Sequence, residues 1–380
     1  MLKRVYFDHN AGSPLRDVAR ARLLEVLGGH LANPSSTHAE GRAARDILEE
    51  AREQLAELVG CGRDELFFTS GGTEANALAL QLAPAGAGVA ALSTEHPSIR
   101  AGVAERADGV LLPVDSRGQL HDTGAWPSVA LSSCALANHE TGVLQDLEWV
   151  VAAARGAGSL VHSDLCQAFG RIPLAVARWD LDAASLSAHK LGGPAGVGAL
   201  VLRNGVELNP LWKGGAQEAG RRPGTESVAQ AASFAAAAAE ACADLEEQRT
   251  RMANITLDLR SLILERVPDA QLFSDPETGL PNTLNVGFPG HSGAALVMRL
   301  DLEGVSASFG SACSSGSREP SPVLLAMGCD DDLARSVVRF SVGHNTKAED
   351  ARACAERLCH ALAESANTRA RKNARRERDG

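Results

Sequence analysis

Short apolar runs alternate with helix-like segments along the first two thirds of this 380-residue chain. The clearest helix pattern places Ala44, Leu48, Leu55 and Val59 on one face. Such alternation predicts an α/β fold with a mostly parallel sheet, in which ligands bind beyond the carboxyl ends of the strands. The predicted buried strands lie at residues 65–68, 88–93, 128–136, 159–164, 183–186 and 197–202.

The pattern changes after an alanine-rich, helix-favouring stretch at residues 228–245. We therefore predict a large domain at 14–245 and a smaller α+β domain formed by 1–13 and 246–366. Residues 367–380 contain many arginines and almost no apolar side chains, which predicts a disordered basic tail. The smaller domain is expected to contain strands at 283–288 and 337–342 and helices at 293–302 and 348–363.

The charge of the chain favours a small substrate. A formal net charge of -10 argues against a broad basic surface for nucleic acid. No signal peptide or apolar membrane span is apparent, so we expect a cytoplasmic protein without a membrane or nucleic-acid partner. The eight cysteines are scattered without a C-x-x-C pair, so neither a disulfide framework nor a bound metal is expected.

Lys190 ends the segment Ser-Ala-His-Lys and directly precedes a glycine-rich run at residues 191–196. This context predicts a lysine held on a tight turn. A positioned and shielded amine is what a lysine needs in order to form a Schiff base with an aldehyde.

Asp164 ends the predicted strand at 159–164, where an isolated buried carboxylate would be costly. A protonated pyridine nitrogen would supply the compensating charge. The alternative is a helix N-cap or a surface aspartate. The short connection to Lys190 lets both side chains converge from neighbouring strand ends.

Two further segments fit a phosphorylated, flat ligand. Residues 69–76 follow a predicted strand and open a predicted helix, so their N–H groups and the Thr73 hydroxyl are suited to binding a phosphate. A simple capped turn is the alternative. His96 also follows a strand, and its ring could stack on a cofactor and transfer protons, unless it is merely a polar surface residue.

Cys313 lies among small residues at 310–316. Small side chains hold a loop only weakly, which suits a thiol that must move to a substrate and away from it. An inert cysteine in a flexible turn is the alternative. Taken with Lys190 and Asp164, it predicts a pyridoxal phosphate site served by a reactive cysteine.

As an ordered set, these segments resemble the pyridoxal phosphate dependent cysteine desulfurases of the NifS/IscS type, within the class V aminotransferase superfamily. The resemblance implies a fold type I homodimer whose small domain carries the catalytic cysteine loop. It rests on Asp164, Gln167 and residues 6–8, 33–36, 69–76, 94–96, 138–142, 187–190, 220–225, 310–313, 319–321 and 339–341.

The resemblance also implies residue roles. Lys190 would bind the cofactor covalently, Asp164 would pair with its ring nitrogen, Gln167 would bond its ring hydroxyl, and His96 would cover the ring. The implied phosphate ligands are Gly72, Thr73, Ser187, His189 and, from the other subunit, Thr225. The implied substrate contacts are Asn33, Arg339 and His139, the last in place of the asparagine usual in this family.

The implied reaction converts L-cysteine to L-alanine and leaves a persulfide on Cys313, for transfer to a sulfur-acceptor protein, for example in iron-sulfur cluster biogenesis. Lys190, Cys313 and His96 would be catalytic. Three alternatives stay open: a selenocysteine lyase, a class V aminotransferase, and a non-catalytic partner that retains the fold.

Overall fold

The computed structural model describes residues 4–29, 32–121, 124–310 and 319–379, and for 366–379 it describes the backbone alone. The strands are β1 (Val5–Tyr6), β2 (Leu66–Thr69), β3 (Val89–Leu92), β4 (Gly109–Leu112), β5 (Leu131–Ser133), β6 (Leu160–Asp164), β7 (Ala183–Ser187), β8 (Gly198–Leu202), β9 (Gln271–Leu272), β10 (Thr283–Gly287), β11 (Val305–Ser306) and β12 (Val337–Ser341). The helices are α1 (Asp17–Gly28), α2 (Ala39–Val59), α3 (Gly72–Ala79), α4 (Pro97–Ala104), α5 (Leu147–Gly156), α6 (Val228–Ala243), α7 (Leu245–Arg266), α8 (Gly293–Leu302), α9 (Pro322–Ala326), α10 (Asp331–Ala334) and α11 (Ala348–Asp379).

Seven strands of the described chain form the large sheet, in the order β2-β8-β7-β6-β5-β3-β4. Every neighbouring pair is parallel except the two pairs that include β8. Most of these strands are buried throughout, as expected for a sheet with helices on both faces. The α/β class with a mostly parallel sheet is therefore confirmed.

A second set of strands lies near the chain ends. Strands β12, β10 and β9 form an antiparallel sheet, and β1 pairs in parallel with β11. The apolar core around them includes Phe7, Leu284, Phe340 and Leu358, and it is distinct from the core of the large sheet. Asp244 separates α6 from α7, one residue before the last residue of the predicted large domain, and the division into two domains stays a prediction.

Helix α11 continues to Asp379, so the backbone of residues 367–379 is helical where the sequence predicted a disordered tail. The tail consists largely of alanine, arginine, lysine and glutamate, which are strong helix formers, and this propensity extends the helix beyond its apolar part. No helix in the described ranges is long and apolar enough to cross a membrane.

Candidate active site

A cavity of about 520 Å³ lies at the carboxyl ends of the parallel strands, and we call it the site cavity. Asp164 is the last residue of β6, Ser187 is the last residue of β7, and His96 follows β3. Most of the predicted site residues line this one cavity: Gly72, Thr73, His96, His139, Asp164, Gln167, Ser187, His189, Lys190 and Arg339.

Lys190 lies on a single 3-10 turn, Ala188–Lys190, directly after β7. Its Nζ donates hydrogen bonds to the backbone oxygens of Asn10, at 2.6 Å, and Ala11, at 2.9 Å. These oxygens belong to the N-terminal segment, which enters the site from the small β1 sheet. The amine is therefore held in one place by backbone from a distant part of the sequence.

The Asp164 carboxylate is buried and is held by neutral donors. Its Oδ2 accepts a hydrogen bond from Asn76 Nδ2 at 2.7 Å, and its Oδ1 accepts one from the backbone N–H of Cys166 at 2.9 Å. Within the described ranges it forms no ion pair. A buried carboxylate in this state can accept a cationic group from a ligand.

Helix α3 begins at Gly72, so the positive end of its dipole faces the site cavity. A Cβ at Gly72 would lie 2.6 Å from Cys166 Sγ and 3.4 Å from Ser187 Cβ, so only glycine leaves this wall open. Ser187 Oγ lies 2.9 Å from His189 Nδ1 on the same side. The arrangement suits an anion, because helix N-termini bind phosphate through their N–H groups.

Two ionisable side chains, His189 and Glu74, line this part of the cavity. Burial, followed by the charges of Lys190 and Arg171, lowers the pKa of His189 to about 4. His189 is therefore neutral at neutral pH and can donate only one hydrogen bond. Glu74 Oε2 already accepts a hydrogen bond from the backbone N–H of Ser70 at 2.6 Å, and Glu74 is paired with Arg222.

Two imidazole rings meet edge to face across the cavity. The ring centroids of His96 and His139 are 5.2 Å apart, with an interplanar angle of 73°. His96 Nδ1 accepts a hydrogen bond from the backbone N–H of Ser98 at 3.2 Å, so a neutral His96 carries its proton on Nε2. Burial is the main cause that lowers the pKa of both rings.

The His139 ring points to a carboxylate that it does not reach. Its Nε2 lies 3.7 Å from Glu140 Oε1, and neither atom has a hydrogen-bond partner among the residues that the structure describes. Both residues are buried, so these are two unsatisfied polar groups beside the cavity.

Arg339 reaches the cavity from β12 and is 1% exposed. Its guanidinium donates to Asp8 Oδ1 at 2.9 Å and to the backbone oxygen of His139 at 2.8 Å. Its Nε has no hydrogen-bond partner in the described part of the chain. The guanidinium plane is therefore fixed while part of its donor capacity stays unused.

Two of the predicted site residues that the structure describes do not line the site cavity. Asn33 is exposed, and its Oδ1 accepts a hydrogen bond from the backbone N–H of Ser35 at 2.9 Å, which closes a local turn. Thr225 lies in a smaller neighbouring cavity that Ser70 and Gly196 also line. Cys313 lies outside the described residues.

Other lining residues were not among the predicted ligands. They include Asn10, Asn76, Ser98 and Cys166. Asn76 lies inside residues 69–76, the segment predicted to bind a phosphate, and an amide side chain among the apolar residues of helix α3 is a signal that could have identified it. Asn10 contributes its backbone oxygen, which has no signature in a side-chain pattern.

A family model and a curated relative both match most of the chain. The chain matches the family Aminotransferase class-V over residues 5–353. It is 40% identical over 364 residues to a protein of Cereibacter sphaeroides named cysteine desulfurase, covering 92% of this chain and 93% of that protein.

Two solved structures share the fold. A NifS-like protein is 31% identical with a TM-score of 0.86, covering 95% of this chain and 99% of that one. SspA in complex with cysteine is 27% identical with a TM-score of 0.76, covering 89% of this chain and 98% of that one. The chain therefore belongs to the class-V aminotransferase family and, within it, to the group of NifS/IscS-type cysteine desulfurases.

Proposed function

We propose that this protein is a pyridoxal 5′-phosphate dependent cysteine desulfurase, which converts L-cysteine to L-alanine and collects the sulfur as a persulfide on Cys313. The observation that carries the proposal is one cavity holding the Lys190 amine, the Asp164 carboxylate and the open wall at Gly72. The names of the relatives, and the cysteine bound by SspA, support the choice of substrate.

The residues present fit this cofactor. The Lys190 amine is the group that would bind an aldehyde, and the Asp164 carboxylate, which has no ion pair in the described chain, would take a protonated pyridine nitrogen. The N-terminus of α3 with Thr73, Ser187 and His189 would hold the phosphate. When bound, pyridoxal phosphate withdraws electrons from the α-carbon of the amino acid.

We assign the substrate carboxylate to Arg339. Its plane is fixed, and its Nε has no partner within the described ranges, which leaves donor capacity for a carboxylate in a buried place, where a charged hydrogen bond is strong. His139 would lie beside the same group. Asn33 stays a predicted substrate contact, and Thr225 a predicted phosphate contact supplied by the second subunit of a homodimer.

We assign proton transfer to two side chains. Lys190 Nζ would take the proton from the α-carbon, since its amine is both positioned and shielded. His96, neutral because burial lowers its pKa, would donate a proton from Nε2. The Cys313 thiolate would then attack the substrate sulfur, so that an S–S bond forms while the substrate Cβ–S bond breaks. The electron pair of the broken bond would stay on the carbon fragment, which is protonated to alanine, and the sulfur would remain on Cys313 as a persulfide.

The test is a Cys313→Ser protein assayed for alanine and sulfide with a physiological thiol present. We expect the rate of alanine formation to fall by at least about a hundredfold, because a hydroxyl is a poor nucleophile toward sulfur. Cys359→Ser is the matched control, as it removes a partly exposed thiol on α11. A Cys313→Ser protein that works at the wild-type rate would refute the proposal.

Substrate comparison separates the alternatives. A selenocysteine lyase would prefer selenocysteine strongly over cysteine, and an aminotransferase would convert glyoxylate to glycine with alanine as amino donor. We expect cysteine to be the preferred substrate. Transfer of labelled sulfur from Cys313 to candidate acceptors would then identify the partner protein.

A further inference from the structure

Arg171 is a buried arginine behind the cavity wall that Gln167 and Lys190 form, and the proposed reaction gives it no role. Its guanidinium donates to the backbone oxygen of Gln167 at 2.9 Å and also to Gln167 Oε1. It donates further to the backbone oxygens of His9 at 3.2 Å and Lys190 at 3.0 Å. One side chain thus joins the N-terminal segment, the turn after β6 and the lysine turn.

The charge of Arg171 is uncompensated by an acid. In the described part of the chain it forms no ion pair, and all four of its partners are neutral oxygens. Burial, with a smaller contribution from Arg339, lowers the pKa of Arg171 to about 9, so the group stays charged at neutral pH. Burying an unpaired charge is costly, and a neutral side chain would avoid that cost.

The bond to Gln167 has a consequence for the cavity. A guanidinium can only donate, so the atom of Gln167 that faces it must be the amide oxygen. The amide nitrogen is then turned to the other side, where it donates to the Asn10 backbone oxygen at 3.1 Å. Because Gln167 lines the site cavity, it presents N–H rather than an oxygen to a ligand.

We propose that Arg171 is a positioning residue that fixes Gln167 as a hydrogen-bond donor and anchors the backbone of Lys190, so that the cavity selects a ring bearing an ionised oxygen. The inference rests on the proposed function, since pyridoxal phosphate carries such an oxygen next to its aldehyde. Gln167 would then stabilise the ionised form of that oxygen, and Arg171 would act through Gln167 without touching the ligand.

The test uses Arg171→Met, Arg171→Lys and Gln167→Met, with the ratio of visible to near-ultraviolet absorbance of bound pyridoxal phosphate at neutral pH as the main readout. The second readout is the dissociation constant of the cofactor. We expect Arg171→Met and Gln167→Met to lower the absorbance ratio alike and to weaken cofactor binding by about tenfold. The double variant should add little to either, because the two residues act as one unit.

Arg106→Met is the matched control, since Arg106 also donates to backbone oxygens, those of Leu80 at 2.8 Å and Ala87 at 3.3 Å, away from the cavity. It should leave the absorbance ratio unchanged. Should Arg171→Met fail to fold, Arg171→Lys decides, because it keeps the charge but cannot satisfy all four oxygens. We expect an intermediate ratio for it.

An Arg171→Lys or Arg171→Met protein that folds and has the wild-type ratio would overturn the role of Arg171 and leave the proposed function standing. A wild-type protein that develops no visible band with pyridoxal phosphate would overturn both. A normal visible band without cysteine turnover would refute only the proposed reaction.

Discussion

Glu140 Oε2 accepts a hydrogen bond from Ser321 Oγ, with 2.6 Å between the two oxygens. Both residues are buried, and Ser321 also caps α9 by accepting from the backbone N–H of Leu324 at 3.2 Å. Glu140 follows His139 at the cavity, whereas Ser321 lies shortly after the segment that contains Cys313. This bond therefore ties the chain beyond the proposed nucleophile to the cavity wall.

Replacing Ser321 tests the strength of this connection. Ser321→Ala removes the donor to a buried carboxyl and the cap of α9, so we expect the free energy of unfolding to fall by about 1–3 kcal/mol. Ser321→Thr keeps a hydroxyl and should stay closer to wild type. Urea denaturation measures both, and an alanine variant as stable as wild type would show that the bond contributes nothing.

The open wall at Gly72 predicts that a larger residue there weakens cofactor binding, and that a second substitution, at Cys166, restores part of the affinity. In Gly72→Ala the new methyl group meets Cys166 Sγ, so we expect cofactor affinity to fall by at least about tenfold. Adding Cys166→Ala removes the sulfur and should recover part of the affinity. Fluorescence titration with pyridoxal phosphate measures both proteins, with Cys166→Ala alone as control.

If the double variant binds as poorly as Gly72→Ala, the contact with the sulfur is not the cause of the defect. If Gly72→Ala binds as wild type does, the phosphate does not lie at this wall.

Arg339→Lys tests the proposed carboxylate contact. Lysine keeps the charge but loses the planar fork, so we expect the KM for cysteine to rise by about tenfold to a hundredfold, with a smaller change in kcat. Arg335→Lys is a surface control near the end of α10, where Arg335 pairs with Asp331 at 3.5 Å. An unchanged KM in Arg339→Lys would place the carboxylate elsewhere.

His162 predicts a loss of stability in acid. Its two ring nitrogens each lie 2.9 Å from a hydroxyl, those of Ser133 and Ser185, and burial lowers its pKa to about 4. The ring is neutral in the folded protein but protonates near pH 6.5 in the unfolded protein. Its contribution to the free energy of unfolding is therefore complete above about pH 6.5 and is lost as the pH falls toward 4.

Between about pH 7 and pH 5 this one group should reduce the free energy of unfolding by about 2 kcal/mol. In His162→Gln the decrease over the same interval should be smaller by that amount, even if the variant is less stable at neutral pH. Urea denaturation at the two pH values measures it. Equal decreases in the two proteins would exclude a contribution from His162.

The sequence predicted the parts of the fold that have a strong local pattern. Buried strands such as β7 and β8 are continuous runs of apolar or small residues. Predicted site residues lie at the ends of β6 and β7, at a common edge of the sheet. Strand β4 went unpredicted because it lies at the sheet edge and is mostly incompletely buried, which weakens its pattern. The backbone after residue 366 is helical although the segment has little apolar content, because many of its residues have high helix propensity.

Within the site, side chains placed by strand ends were predictable, and contacts between distant segments were not. The hydrogen bonds from Lys190 to the Asn10 and Ala11 oxygens join residues about 180 positions apart through backbone atoms, which no residue pattern records. Arg171 looks in the sequence like an ordinary arginine before a loop. Its importance appears only when its four oxygen partners are located.

The pairing of β1 with β11 has a consequence for biosynthesis. Val5 is made 300 residues before its strand partner Val305, while every strand of the large sheet is complete by Leu202. On the ribosome the large sheet can therefore assemble well before the N-terminal segment has anywhere to pair. The oxygens of Asn10 and Ala11 that restrain Lys190 would therefore reach their places only after β11 has been made, so the amine gains this restraint later than the large sheet forms.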